Sequence, residues 1–240
     1  MRMNGKECAK GRWAAWLLAG VLGFAVTGVQ AGDNPRDPYE GFNRTMFTVH
    51  EALDRTVVRP VARGYDRAVP LPVKAGVGNF FGNVGDAWIG ANNLLQGKPG
   101  DAGRDLARLL VNSTLGIFGL FDVASELGLE KHEEDFGQTL AVWGVGDGGY
   151  LFWPLIGPRS VRDTAGFVAD AMVDPVGRVD PVRTRNSLRA VRIVDVRAGL
   201  LPSDRVVEEA ALDRYAYIRD AYFQRRNNQI HDGRPPRLDD

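Results

Sequence analysis

Asp37-Pro38-Tyr39-Glu40-Gly41-Phe42-Asn43-Arg44 is the stretch from which the rest of this sequence can be read. Asp37 is of the type that caps a helix, Pro38 suits a first helical position, and Glu40 stands three residues beyond the cap. Phe42, Met46, Val49, Leu53 and Val57 follow at spacings of four, three, four and four. That spacing predicts one apolar helix face. Arg59-Pro60 should close the helix, because proline lacks the amide donor and clashes with the turn before it. The same period recurs downstream. The expected fold class is therefore mainly α: a single compact domain of amphipathic helices with a small irregular, extended Gly-rich segment.

Upstream, Arg2, Lys6, Lys10 and Arg12 precede an apolar run from Trp13 to Val26, and Val29-Gln30-Ala31 has the small-residue pattern of a signal cleavage site. The run contains Gly20 and Gly23 and falls short of the ~17–25 residues of a spanning helix. Cleavage after Ala31 divides the chain into a signal peptide (1–31), a helical domain (32–230) and a flexible tail (231–240). The signal carries four basic residues and one acid, so the remainder is mildly acidic and offers no electrostatic footprint for nucleic acid. The single cysteine, Cys8, lies in the signal. The mature domain is thus expected to lack a disulfide, a thiol nucleophile and a cysteine metal site. Leu17-Leu18-Ala19-Gly20-Val21 has the look of a lipobox with valine in place of the acylated cysteine, so membrane attachment would have to come from the folded domain.

A second helix is predicted from near Pro72, carrying Val73, Val77, Phe80, Phe81, Val84 and Trp88. Gly76, Gly78, Gly82, Gly85 and Gly90 each cost about 1 kcal/mol relative to alanine inside a helix. Either they break it, or they allow close helix contact, the reading favoured here. A third helix should follow Pro99-Gly100 and run into the uncharged stretch from Leu109 to Phe121, as a buried core helix or as one sunk in a single leaflet. Lys131-His132-Glu133-Glu134-Asp135 reads as a solvated loop. Thr139–Trp143 and Tyr150–Leu155 read as short extended segments around the turn-rich Gly144–Gly149. Ser160 with Asp163 makes a second capping pattern for a helix to about Val173, stopping before Asp174-Pro175. Basic helices over Thr184–Leu201 and Asp204–Arg226 finish the chain. Val207, Ala211, Tyr215, Ile218 and Tyr222 form the buried stripe of the last, and the residues after Asn227 are a frayed tail.

Most catalytic chemistry is poorly supported. Gly144-Val145-Gly146-Asp147-Gly148-Gly149 matches a dinucleotide fingerprint by letter, but Tyr150-Leu151-Phe152-Trp153-Pro154 after it is not the helix N-terminus that a pyrophosphate needs. His50, His132 and His231 do not pair at metal-ligand spacing. No Gly-x-Ser-x-Gly elbow is present, and Ser113 in an apolar helix is read as bonding a backbone carbonyl. His50 stays open as a base. No catalytic residue, metal or cofactor is expected. What stands out is aromatic: Trp88, Trp143, Tyr150, Phe152, Trp153, Phe80-Phe81, Phe118 and Phe121, residues that favour a membrane–water interface as well as a core.

Taken together, the residues resemble the VacJ/MlaA family of outer-membrane phospholipid-transport lipoproteins. The resemblance begins with Asp37–Arg44 and Met46-Phe47 and continues through Arg59-Pro60-Val61-Ala62, Asn79 with Gly82-Asn83, and Asn93-Leu94-Leu95-Gln96-Gly97-Lys98-Pro99. Asn112 with Leu115-Gly116, Asp122-Val123-Ala124, Asp135-Phe136-Gly137-Gln138-Thr139-Leu140 and Arg162-Asp163 carry it on. It ends in Arg219-Asp220-Ala221-Tyr222-Phe223-Gln224-Arg225-Arg226 and so covers nearly the whole mature chain. The missing cysteine is the departure from the pattern.

The resemblance implies helices forming a ring around a polar channel, seated at the periplasmic face of the outer membrane. It implies a non-enzymatic role: removing phospholipid from the outer leaflet, beside a trimeric porin, and passing it to a soluble periplasmic carrier. A structural adaptor that binds a porin or other envelope protein without lipid transfer is the alternative. The candidate channel-lining residues are Arg44, Arg104, Asp105, Arg108 and Asn112. The candidate lipid-facing residues are Phe80, Phe81, Trp88, Ile117, Phe118 and Phe121.

Overall fold

A computed structural model describes residues 34–236; the signal segment, its expected cleavage at Ala31 and residues 237–240 lie outside it. Helix α1 spans Glu40–Leu53, with Tyr39 at its N-cap and no side-chain cap. Asp37, expected as that cap, is instead fully buried and accepts a hydrogen bond from Asn43 Nδ2 at 2.8 Å. Arg59-Pro60 does not end the helical path. A π-helical turn over Asp54–Val58 leads directly into α2, Arg59–Ala68, with Pro60 in the first turn, where a helix needs no amide donor. The period of the apolar face was legible, but its direction was right only at its start, where Met46 packs against the core and Phe42 is half-buried. Val49, Leu53 and Val57 are exposed, while Asn43, Phe47 and Asp54 are buried.

Helix α3 runs unbroken over Leu71–Leu95, through all five glycines. A Cβ at Gly90 would meet Asp105 Cβ at 3.3 Å and the Ala102 carbonyl at 3.4 Å, so the close-contact reading holds there; Gly85 faces open space. The neighbour is α4, Pro99–Thr114, which packs along α3. The uncharged stretch does not continue as helix. After Thr114 the chain turns, with Ile117, Phe118 and Gly119 at φ of 51°, 56° and 85°. Gly119 is required at that turn, since a Cβ there would lie 2.6 Å from Asn83 Cβ. Asp122 then caps the short α5, Val123–Glu126.

Phe136–Val142 forms α6, capped by Asp135, which corrects the extended reading of Thr139–Trp143. Tyr150–Trp153 is extended as expected: this β1 pairs antiparallel with β2, Gly157–Ser160, in the register Tyr150↔Ser160 and Leu151↔Arg159. Ser160 Oγ accepts from the Asp163 amide at 3.0 Å and opens α7, Val161–Val173, at the predicted cap and stop. Helices α6 and α7 cross closely enough that a Cβ at Gly166 would lie 2.4 Å from the Gly137 nitrogen.

A 3₁₀ turn, Pro175–Arg178, precedes α8, Val182–Gly199, which lies against α2 and α3. The single helix expected over Asp204–Arg226 is two, α9 (Leu201–Ala210) and α10 (Arg214–Ile230), divided where Asp213 caps the second. Helix α10 continues past Asn227, and Asp232 beyond it accepts from Lys98 Nζ at 2.6 Å, so the chain is ordered further than the frayed-tail reading allowed.

The aromatic core is small: Phe47, Tyr150, Phe152, Tyr215 and Tyr222, with Phe47 edge-on to Phe152 at 5.3 Å. Apart from Phe81, Val176 and a few alanines, the rest of the interior is polar. Asn43, Asp86, Asn92, Asn93, Asp105, Arg108, Gln138 and Asp163 are among the most deeply buried side chains. Outside stand Leu71, Leu106, Leu110, Leu115, Phe118, Met172 and Ile193. A water-bathed domain normally buries the apolar set and exposes the charged one. Among the described residues no helix is long and apolar enough to cross a membrane.

Candidate functional site: a polar interior

One cluster forms where α3, α4 and the 129–135 loop meet. Every fourth or third residue of the α4 inner face is polar (Asp105, Arg108, Asn112), and all three are buried. Arg108 Nη2 donates to both oxygens of Asp122 at 2.9 and 3.0 Å, and Nη1 donates to Ser125 Oγ and the Leu129 carbonyl. Asn112 donates to Asp122 Oδ1 at 2.9 Å and accepts from the Ala124 amide at 2.8 Å. Burial acts to raise the Asp122 carboxyl, but donors from Ser125, Asn112 and Arg108 outweigh it and hold the group well below the usual carboxylate range. Asp86 moves the other way: burial pushes it up despite Lys131 Nζ at 3.0 Å.

Asp105 accepts from Asn93 Nδ2 at 2.7 Å and faces His132 Nδ1 at 2.7 Å. Glu134 accepts from Gln96 Nε2, also at 2.7 Å. Lys131, His132 and Glu134 thus reach inward to named partners, correcting the solvated-loop reading of residues 131–135. Among the described residues no group of three or more His, Cys, Asp or Glu side chains is arranged to hold a metal ion.

The proposed channel residues do not all meet. Asp105, Arg108 and Asn112 share this cluster. Arg104, on the same helix, points outward and pairs with Asp101 at 2.6 Å. Arg44 lies on α1, half-exposed, bridging Glu40 and Asp213 at 2.7 Å each with its guanidinium 4.5 Å above the Tyr215 ring. Of the candidate lipid-facing set, Ile117, Phe118 and Phe121 are exposed at the 115–121 turn, whereas Phe81 is buried and Phe80 packs edge-on to it. Trp88 is half-buried, and its Nε1 donates to Asp170 at 2.7 Å. Ser113 Oγ accepts from Asn83 Nδ2 at 3.0 Å, where a bond to a backbone carbonyl was expected. His50 Nδ1 accepts from the Leu155 amide at 3.1 Å, and burial pushes its pKa down.

A second polar web was anticipated only at Tyr215 and Tyr222, which were expected to be buried; its arginines were not. On α10, Tyr215, Arg219, Tyr222 and Arg226 fall at spacings of four, three and four and are all buried. Of the stripe expected through Val207, Ala211, Tyr215, Ile218 and Tyr222, Tyr215 and Tyr222 are buried and Ile218 packs against the aromatic core, while Val207 and Ala211 precede α10 and the two arginines join the buried face. Tyr215 and Arg219 reach Asp37; Arg226 grips Asp135 at 2.7 Å through two bonds and also binds Asp163, which Tyr222 reaches as well. Asn43 completes the web by donating to Asp37 and the Tyr150 carbonyl and accepting from the Phe152 amide at 2.9 Å. The helical period of the arginines and tyrosines was the available signal. It was passed over because charged residues are assigned to the solvent face by default.

With that geometry in hand, comparison with known proteins gives a consistent result. The family model described as MlaA lipoprotein matches residues 35–229. The chain is 36% identical over 210 residues to the intermembrane phospholipid transport system lipoprotein MlaA of Shigella flexneri, covering 85% of this chain and 82% of that one. An uncharacterized protein of Rickettsia bellii is 36% identical over 195 residues, 81% of this chain and 76% of its own. A solved structure, described as the structural basis for maintenance of bacterial outer membrane lipid asymmetry, superposes with a TM-score of 0.71 at 34% identity, covering 81% of this chain and 98% of that one.

Proposed function

The chain belongs to the MlaA lipoprotein family, and from that premise we propose how it handles lipid. It is a component of an intermembrane phospholipid transport system that maintains outer-membrane lipid asymmetry. In the proposed mechanism it withdraws phospholipid from the outer leaflet without making or breaking a bond. It sits at the periplasmic face of the outer membrane beside a trimeric porin and releases lipid to a soluble periplasmic carrier.

The observation that carries this reading is the reversal of polarity between interior and surface. A phospholipid headgroup pays heavily to enter hydrocarbon, as any charged group does. A path lined by fixed polar side chains, inside a shell that also exposes Leu, Val, Ile and Phe side chains, removes most of that cost. The interior acids and amides supply such a lining once the helices enclose a channel, and the apolar exterior suits acyl chains. Bacteria lacking this protein should accumulate phospholipid in the outer leaflet. An adaptor that only binds a porin predicts unchanged asymmetry, so that result would decide for the alternative.

The 115–121 turn is the proposed point of insertion. Phe118 is 76% exposed, and its backbone is held in place by its amide, which donates to the Ser113 carbonyl at 3.1 Å. An aspartate deep in a bilayer costs about 2.5–3.5 kcal/mol. Phe118→Asp should therefore move the protein from the carbonate-resistant membrane fraction to the soluble one, with its helical circular dichroism unchanged. Full retention would count against this placement.

A further inference from the structure

Among the described residues, every buried or half-buried arginine has a carboxylate within 4.0 Å except Arg159 and Arg185. Arg159 is the one that borders the α7–α10 web. It stands on β2, opposite Leu151, and its guanidinium lies 4.2 Å from the centre of the Phe167 ring. Its Nε is buried with no hydrogen-bond partner, and Nη1 has only a long contact to the Asp163 carbonyl at 3.5 Å. The acids that might have answered it, Asp135 and Asp163, are already engaged by Arg226.

A guanidinium withdrawn from water without an anion is unfavourable. Burial accordingly pushes the pKa of Arg159 down. Contact with an aromatic face offsets only part of that penalty. The fork of N–H groups matches a phosphate best, because it offers two parallel donors to two oxygens. On the same hairpin, in the connection between β1 and β2, Leu155 and Ile156 are exposed. A charged donor sharing a hairpin with exposed apolar side chains is the complement of an amphiphile with a phosphate head.

We propose that Arg159 binds a phosphate oxyanion, the group shared by a phospholipid headgroup and free phosphate, and positions the headgroup at the β1–β2 hairpin. This rests on the transport reading above and adds to it a residue that holds the headgroup phosphate.

The test is thermal unfolding of the protein in non-ionic detergent, titrated with dihexanoyl-phosphatidylglycerol, with dihexanoylglycerol, and with inorganic phosphate. The phospholipid should raise the wild-type Tm and the neutral lipid should not. In Arg159→Leu the unliganded Tm should rise, because a desolvated charge is gone, and phospholipid affinity should fall ~tenfold or more. Arg159→Lys should retain part of the affinity. An equal shift from inorganic phosphate at equal concentration would assign the site to the free anion. Unchanged phospholipid affinity in Arg159→Leu overturns the proposal, as does a lowered unliganded Tm, which would make the side chain part of the scaffold. Either failure leaves the transport reading standing, since that is decided by the asymmetry of the deletion strain.

Discussion

Asp163→Ala should cost the fold about 3–5 kcal/mol, the range for removing one partner of a buried ion pair. The carboxylate is almost fully buried, and its backbone amide is held by the Ser160 cap. It takes bonds from Arg162 Nε at 3.0 Å, from Arg226 Nη2 at 3.0 Å and from the Tyr222 hydroxyl. Removing it leaves Arg226 with Asp135 alone and Arg162 with Asp147 alone, and takes the carboxylate acceptor from the buried Tyr222 phenol. It also separates α7 from α10, and so from Asp135 at the head of α6, which Arg226 ties to the same point. For a domain with about 5–15 kcal/mol of total stability, that is a large fraction.

The pH dependence has a definite sign. Burial alone would raise the Asp163 carboxyl, but the Arg226 ion pair and the Tyr222 hydroxyl hold it below its ordinary value. Its stabilising contribution is complete above the unfolded carboxylate pKa of about 3.9 and is lost as pH falls through the folded value. Urea unfolding should show the full gap between wild type and Asp163→Asn at pH 7 and a shrinking gap below about pH 4. An Asp163→Ala midpoint within the range of surface substitutions would remove Asp163 from the centre of the fold.

The elements that were legible from sequence are those fixed by local chemistry. Ser160 and Asp163 opened α7 because a hydroxyl cap and its N3 partner are four consecutive residues, and Asp174-Pro175 ended it for an equally local reason. The helical period through Phe42 and Val57 was also local and correct. Beyond Met46 its direction was not, because nothing within a helix says which medium lies outside. Val49 and Leu53 face outward here, and Asn43 inward, because the inward side offers Asp37 and the β1 backbone as partners. These partners are more than a hundred residues away in the case of Tyr150 and Phe152. The break after Thr114 was hidden for the same reason. It depends on Gly119 passing against Asn83, a contact between segments that no window of the sequence contains. Helix α6 was missed because Thr139–Trp143 is too short and too β-branched to show a period, while its cap, Asp135, was read as part of a solvated loop.

The same distinction separates the candidate channel residues Arg104 and Arg108, four positions apart on α4. Arg108→Ala should cost about 3–5 kcal/mol, because it leaves Asp122 without its cation, leaves the buried Asp86 with Lys131 alone, and opens space between α4 and α5. Arg104 is mostly exposed, and its pair with Asp101 is of the kind worth about 0–1 kcal/mol. Arg104→Glu should therefore fold with a Tm close to wild type, whereas Arg108→Glu should give little stable protein at all. A loss of lipid asymmetry in the Arg108 variants consequently says nothing about a channel unless the protein level is matched. Arg104→Glu is the informative substitution: normal abundance with outer-leaflet phospholipid accumulating would place Arg104 on the headgroup path, and unchanged asymmetry would exclude it. If Arg108→Ala unfolds at the wild-type midpoint, the buried cluster is not what holds α4 to α5. Arg108 would then return as a candidate on equal terms with Arg104.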